Sequence, residues 1–115
     1  MSDNATTISD LKKSIKKFIG ERNWEEAHSP KNISMSLAIE VGELMEHFQW
    51  ISEKQSLIEN ISKENLEEIK DELADVAIYL LDLCDVLKVD LSDAIRAKMI
   101  KNAKKYPVGS VLVKK

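Results

Sequence analysis

Glu40, Glu43, Glu72 and Asp75 are the residues whose types and spacing could do chemistry. They fall in two runs, Glu40-Val41-Gly42-Glu43 and Glu72-Leu73-Ala74-Asp75, each reading acid, apolar, small, acid. Residues three apart in a helix share one side. The first pair lies among Leu37, Val41, Leu44 and Phe48, the second among Leu73, Val76 and Leu80. At about 100° per residue, Glu40 falls at the margin of its apolar stripe. Packing the two stripes together would bring four carboxylates to one edge of a helix seam.

Acid pairs at this spacing are common in a chain with 20 acidic residues. Glu43/Glu46, Glu64/Glu67, Glu68/Asp71 and Asp82/Asp85 are others. Solvated helix faces, however, usually interleave lysine at i,i+4. None of Glu40, Glu43, Glu72 or Asp75 has Lys or Arg three or four positions away. Two like charges about 4 Å apart, at an effective dielectric near 20, repel by roughly 4 kcal/mol. A partly buried cluster of four therefore raises its own pKa values or takes up a cation. All-oxygen ligands suit Mg²⁺ or Mn²⁺. With no cysteine nearby and one nearby histidine, His47, zinc is disfavoured. None of the four is followed three positions later by histidine, as in the Glu-x-x-His signature of di-iron bundles.

A hard cation with open positions commonly binds phosphate. Cationic partners are available toward the C-terminus in Arg96, Lys98, Lys101, Lys104 and Lys105, with Lys98 and Asn102 at i,i+4. Those lysines serve solubility and helix-end charge equally well. Trp24 and Trp50 are the only tryptophans, and both fall at helix ends beside polar loops, where a ring could stack on a base. Tyr79 falls on the carboxylate side of its helix, and His28 lies in a loop.

Four helices must position these groups. Ile8, Leu11, Ile15, Phe18 and Ile19 recur by threes and fours, with Thr7 and Asp10 as a capping box, predicting a helix to about Trp24. Pro30 marks a break. Asn32 is the expected N-cap of a second helix running to about Ile51. A polar connector leads to a third helix opening near Ser62 and carrying Leu66, Ile69, Leu73, Val76, Ala77, Leu80, Leu83, Cys84 and Leu87. Asp90 caps a fourth, with Leu91, Ala94, Ile95 and Met99 expected inward. Ile39 and Trp50 on the second helix, and Ile78 and Leu81 on the third, lie off the main stripes. Helices apolar on more than one side must be buried on more than one side, so a homo-oligomer is expected.

Composition narrows the class. The chain has 115 residues, 32% of them charged, and a formal net charge of −3. That suits one helical domain and does not advertise binding to a nucleic-acid polymer. Met1–Thr7 is polar rather than basic then apolar, and no apolar run approaches the ~18 residues of a membrane span. The lone Cys84 reads as a small buried hydrophobe. A cytoplasmic protein with no membrane partner is expected.

The chain resembles the MazG-like, all-α nucleoside triphosphate pyrophosphohydrolases, in particular their short dCTP pyrophosphatase branch. The matching pieces are "ERNWEEAHSPKN", "EVGELMEHFQW", "DELADVAIYLLDLCDVLKVDL" and "KMIKNAKKYPV", in the family's order across roughly residues 18–108. The resemblance implies an all-α, four-helix bundle-like MazG fold over residues 1–115, with a core at about 8–107 and a short tail at 108–115. It implies Mg²⁺-dependent hydrolysis of (d)NTPs to (d)NMP and pyrophosphate, favouring dCTP or modified cytosine nucleotides. Carried over, Glu40, Glu43, Glu72 and Asp75 are the metal-binding and catalytic carboxylates. Lys98 and Asn102 match the pair that contacts phosphate and substrate. Trp24, His28, Asn32, Trp50 and Tyr79 match positions near the nucleoside. Relatives are homodimers or homotetramers with sites built between helices. Two positions depart from the pattern: Lys105 stands where many relatives carry arginine, and Ile15 where some dCTP-specific relatives carry histidine. Two other readings stay open: the same reaction on another base such as dUTP, and a non-catalytic helical module whose acidic seam docks a basic partner.

Overall fold

The computed structural model describes residues 1–111. Four helices account for most of it: α1 (Ile8–Glu21), α2 (Pro30–Gln49), α3 (Lys63–Val86) and α4 (Leu91–Lys105). Single 3₁₀ turns at Glu25–Ala27, Lys54–Ser56 and Ile58–Asn60 lie in the connections, and the described residues contain no strand. The all-α expectation holds. The tail expected at 108–115 falls partly outside the described residues; Ser110 N–H closes a turn onto the Pro107 carbonyl at 3.0 Å.

Side-chain oxygens start each helix by accepting otherwise orphaned amide protons. Thr7 and Asp10 form the reciprocal capping box at 3.0 and 3.1 Å. Ser62 and Asp90 cap α3 and α4 by accepting from Asn65 and Asp93 amides. The second helix corrects the expectation. Its N-cap is Ser29, whose Oγ accepts from the Asn32 amide at 3.2 Å, and Asn32 is already inside the helix. Pro30 occupies the first helical position, where its missing N–H costs nothing and its fixed φ favours the helix. The residue read as a break is therefore the helix start. Helix α1 stops three residues before Trp24, because Asn23 takes a left-handed φ of 55°, a conformation Asn tolerates.

Helix α2 packs along α3, and α1 packs against α3 as well. The buried apolar residues are Ile19 from α1, Ile33 from α2, and Ile69, Leu81 and Cys84 from α3. The covered stripes differ from those expected. On α2 the covered positions include Ile33, Leu37, Glu40, Leu44 and Phe48, while Val41 faces out. On α3 they include Leu66, Ile69, Glu72, Val76, Tyr79 and Leu83, while Leu73 and Leu80 are exposed. The spacing alternates threes and fours, as in any helix seam. Glu40 and Glu72 thus stand within their stripes and not at the margin.

The fourth helix also departs from expectation. Of Leu91, Ala94, Ile95 and Met99, only Leu91 is partly covered; Ile95 is 51% and Met99 65% exposed. Among the described residues, helix α4 has no more than marginal contact with the other helices, so its apolar side beyond Leu91 stays largely uncovered. The molecule is correspondingly open. Its surface is 9591 Å², against about 6,400 Å² for a compact monomer of 13.1 kDa. The radius of gyration is 17.0 Å, against roughly 13 Å for a compact chain of this length. No helix of the described residues is long and apolar enough to cross a membrane.

Candidate active site

The α2–α3 seam assembles the carboxylates. Glu40 and Glu43 come from α2, one turn apart, and Glu72 comes from α3. One carboxylate oxygen from each lies within 4.8 Å of the others. Glu43 is exposed, whereas Glu40 and Glu72 are partly covered. Glu40 Oε2 and Glu72 Oε2 are buried with no hydrogen-bond partner. Buried polar atoms are normally paired, because leaving one unpaired costs roughly 1–3 kcal/mol.

The electrostatics carry the mark of this crowding. Burial pushes the Glu40 carboxyl up to about 7, helped by charge repulsion from Glu43, by the hydrogen bond that protonated Glu40 donates to Glu43, and by the charges of Asp75 and Glu72. Glu72 is also raised, by burial first and then by Glu43 and Asp75. Asp75 is outside the tight group of three but near enough to act on both. Three close carboxylates, two of which each keep an orphaned buried oxygen, fit a hard divalent cation, which would neutralise the charge and fill the missing contacts.

A cleft of about 440 Å³ adjoins this cluster through Asp75. Its walls are apolar where α1 supplies Ile15, Phe18 and Ile19, and the loop after α1 supplies Trp24. Trp24 meets Phe18 edge to face, with ring centroids 5.8 Å apart, and the Arg22 guanidinium lies 3.6 Å from the Phe18 ring centroid. Tyr79, His28 and Asp82 also line the cleft. Asp75, Tyr79 and Asp82 recur at i, i+4 and i+7, so one face of α3 runs from the carboxylates along the cleft. His28 Nδ1 lies 2.6 Å from Asp82 Oδ2, with both side chains largely covered.

Of the residues singled out in the sequence, the structure therefore brings Glu40, Glu43 and Glu72 together and sets Asp75, Tyr79, Trp24 and His28 beside them. Asn32 does not line this cleft; its side-chain amide donates to the Ala27 carbonyl at 3.2 Å and ties the His28 loop to α2. Trp50 sits at the C-cap of α2, 83% exposed and outside the cleft. Lys98 and Asn102 lie on the outlying α4 and do not line it either. Asp82 was missed. It looked like half of a chance pair with Asp85, although its seven-residue offset from Asp75 placed it on the same face. Ser14, at the rim, carried no sequence signal.

An all-α seam of acidic residues beside an apolar-walled cleft defines a class of helical, carboxylate-based site. Within that class the chain belongs to the MazG-like family, whose model matches residues 35–111. It is 37% identical over 102 residues to dCTP pyrophosphatase 1 of Bos taurus, and 38% over 101 residues to that of Homo sapiens. These alignments take in 89% and 88% of this chain but only 60% and 59% of the relatives' length. The crystal structure of a pyrophosphatase from Archaeoglobus fulgidus superposes with a TM-score of 0.81 at 37% identity, covering 93% of this chain and 98% of that one.

Proposed function

We propose that this chain is a divalent-metal-dependent nucleoside triphosphate pyrophosphohydrolase that favours dCTP, releasing dCMP and pyrophosphate. The observation that carries the reading is the adjacency of two features: three carboxylates with two orphaned buried oxygens, and a cleft that Asp75 helps to line. The names of the relatives supply the substrate class.

Glu40, Glu43 and Glu72 would hold the cation, with Asp75 adding charge between cluster and cleft. A bound Mg²⁺, or Mn²⁺ in its place, supplies charge neutralisation and polarisation at the triphosphate. The chain's own residues do the rest. Trp24 and Phe18 offer apolar ring surface to the base, and Tyr79 offers a hydroxyl in the same cleft. A carboxylate of the cluster takes the proton from the water attacking the α-phosphorus. Lys98 offsets charge on the leaving pyrophosphate.

That last role needs α4 to reach a site it does not reach within one chain. We infer a homo-oligomer, dimer or tetramer, in which α4 and Trp50 meet the site of another subunit. The excess of roughly 3,000 Å² of surface over a compact monomer and the exposed Ile39, Ile95, Met99 and Ile100 support it. Patches of this kind mark interaction sites. The buried, unpaired Cys84 suits a reducing compartment such as the cytoplasm.

The direct test is turnover of canonical and 5-modified (d)NTPs with Mg²⁺, with and without EDTA, resolving monophosphate, diphosphate, pyrophosphate and phosphate. Monophosphate plus pyrophosphate, lost with EDTA and fastest for dCTP, is the expected outcome. No turnover and no metal-dependent nucleotide binding would leave the acidic seam as a docking surface.

A further inference from the structure

We propose that Asp82 is a positioning residue for base selection: it holds the His28 ring so that Nε2 presents a lone pair to the exocyclic amine on C4 of a cytosine. The inference deepens the reading above and rests on it.

Asp82 is buried on α3 facing α1 and the His28 loop, and burying a carboxylate without a partner is costly. Its partner is His28 Nδ1, 2.6 Å from Oδ2, with side chains 7% and 20% exposed. An ionised carboxylate only accepts hydrogen bonds. When the ring is neutral, the proton between them is therefore on Nδ1. In a neutral imidazole one nitrogen donates and the other accepts, and the bond made by one fixes the role of the other. Nε2 of the neutral ring is then an acceptor, and no protein group among the described residues bonds to it. The loop that carries His28 is held from both sides: Asn32 Nδ2 donates to the Ala27 carbonyl, and Ser29 Oγ caps α2. The ring is fixed in place before any ligand arrives.

Position along the cleft selects the atom it reads. Asp75 marks the carboxylate end, and Asp82 lies seven residues further along α3, about 10 Å at 1.5 Å per residue. A nucleotide with its phosphates at the carboxylates sends its base toward His28. In a pyrimidine, C4 stands opposite the glycosidic N1, so the C4 substituent reaches furthest from the sugar. Cytosine carries an amine there, which donates to Nε2. Uracil and thymine carry a carbonyl, which would set lone pair against lone pair. A site built around a hydrogen bond rejects the analogue that cannot make it far better than an apolar pocket can. The apolar walls, among them Ile15, Phe18 and Trp24, fit a flat ring without distinguishing the two bases.

Two measurements test this. The first needs no variant. The chain has two histidines, so ¹⁵N–¹H correlation of the ring nitrogens, assigned with His47→Gln, reads the His28 tautomer in the Mg²⁺-loaded protein at assay pH. The expected pattern is Nδ1–H with a bare Nε2; an Nε2–H neutral ring or a doubly protonated ring overturns the proposal. The second compares dCTP with dUTP in the wild type and in Asp82→Asn, whose amide can donate to Nδ1 and release the other tautomer. The ratio of kcat/KM for dCTP over dUTP should fall at least tenfold, mainly through a rise in KM for dCTP. His28→Gln serves as a second variant should Asp82→Asn not fold, and it should lose the same selectivity. A wild type that cleaves nucleotides with cytosine preference, alongside a variant that keeps the ratio, overturns the role of Asp82 and leaves the activity standing. A wild type that cleaves no nucleotide removes both.

Discussion

Glu40 of α2 and Glu72 of α3 meet across the helix seam with carboxylate oxygens within 4.8 Å, and each keeps a second relation in common: one buried oxygen with no partner. A seam position normally holds an apolar side chain. Two carboxylates there weaken the α2–α3 contact unless something answers their charge. Sites that do chemistry are where such local violations gather.

Cation binding should therefore stabilise the fold as well as complete the site. At a hundred times its Kd, Mg²⁺ adds about 2.7 kcal/mol to a protein that binds it only when folded. At roughly 4–8 °C per kcal/mol for a domain near this size, the melting temperature should rise by about 10 °C or more. Glu43→Gln should lose most of that rise and lower turnover on the order of 10²-fold, while melting no lower than the wild type in EDTA, because Glu43 is the exposed member and its charge crowds Glu40 and Glu72. Differential scanning fluorimetry with and without Mg²⁺ checks both.

The metal-free protein should lose stability as the pH rises toward neutrality. A free glutamate ionises near 4.5, and Glu40 in the fold ionises near 7. Between those values the folded state binds the proton more tightly, so stability falls with rising pH across that window. Glu40→Gln mimics the protonated form. In EDTA it should melt with the wild type at pH 4.5 and above it at pH 8, by roughly 4–8 °C for each kcal/mol of relieved strain. Equal melting temperatures at pH 8 would show that the seam tolerates the charge.

Which parts of this were legible in the sequence follows from the range of each interaction. Caps such as Thr7 with Asp10, Ser62 and Asp90 act over three residues, and they stand where the sequence puts them. Pro30 was ambiguous because the same fixed φ that stops a helix also starts one. The acid-x-x-acid runs were legible because they lack lysine neighbours. The rotation of each helix was not. Val41 and Leu73 read as core and are exposed, whereas Glu40 and Glu72 take the seam. Rotation is set by the partner helix, and apolar residues all around α2 and α3 left several faces eligible. The His28–Asp82 pair spans 54 positions, so no local pattern could announce it. The inward side of α4 failed for a related reason: among the described residues Ile95, Met99 and Ile100 stay exposed.

Disrupting that unpartnered surface should dissociate the protein. Met99→Glu and Ile39→Glu place a charge on residues that are 65% and 62% exposed in the single chain. On a free surface such changes cost within about 0.5 kcal/mol. Buried in an interface, an unpaired charge costs several times more. Light scattering coupled to size exclusion should find the wild type as a dimer or tetramer and the variants at 13.1 kDa. A monomeric wild type would leave α4 without a role in the site.

If α4 of one subunit serves the carboxylates of another, two inactive variants should restore each other. Lys98→Ala removes the cation from α4, and Glu43→Gln disables the seam. In a mixed dimer one site receives both lesions and the other receives neither. Random exchange of equal amounts makes half the dimers mixed, so about a quarter of wild-type activity returns. Should Lys98 instead act within its own chain, every site carries one lesion and the mixture stays inactive. Turnover of dCTP after co-refolding the two variants, against each variant refolded alone, separates the two arrangements. The first outcome is expected, because within one chain α4 makes no more than marginal contact with the helices that carry Glu40, Glu43 and Glu72.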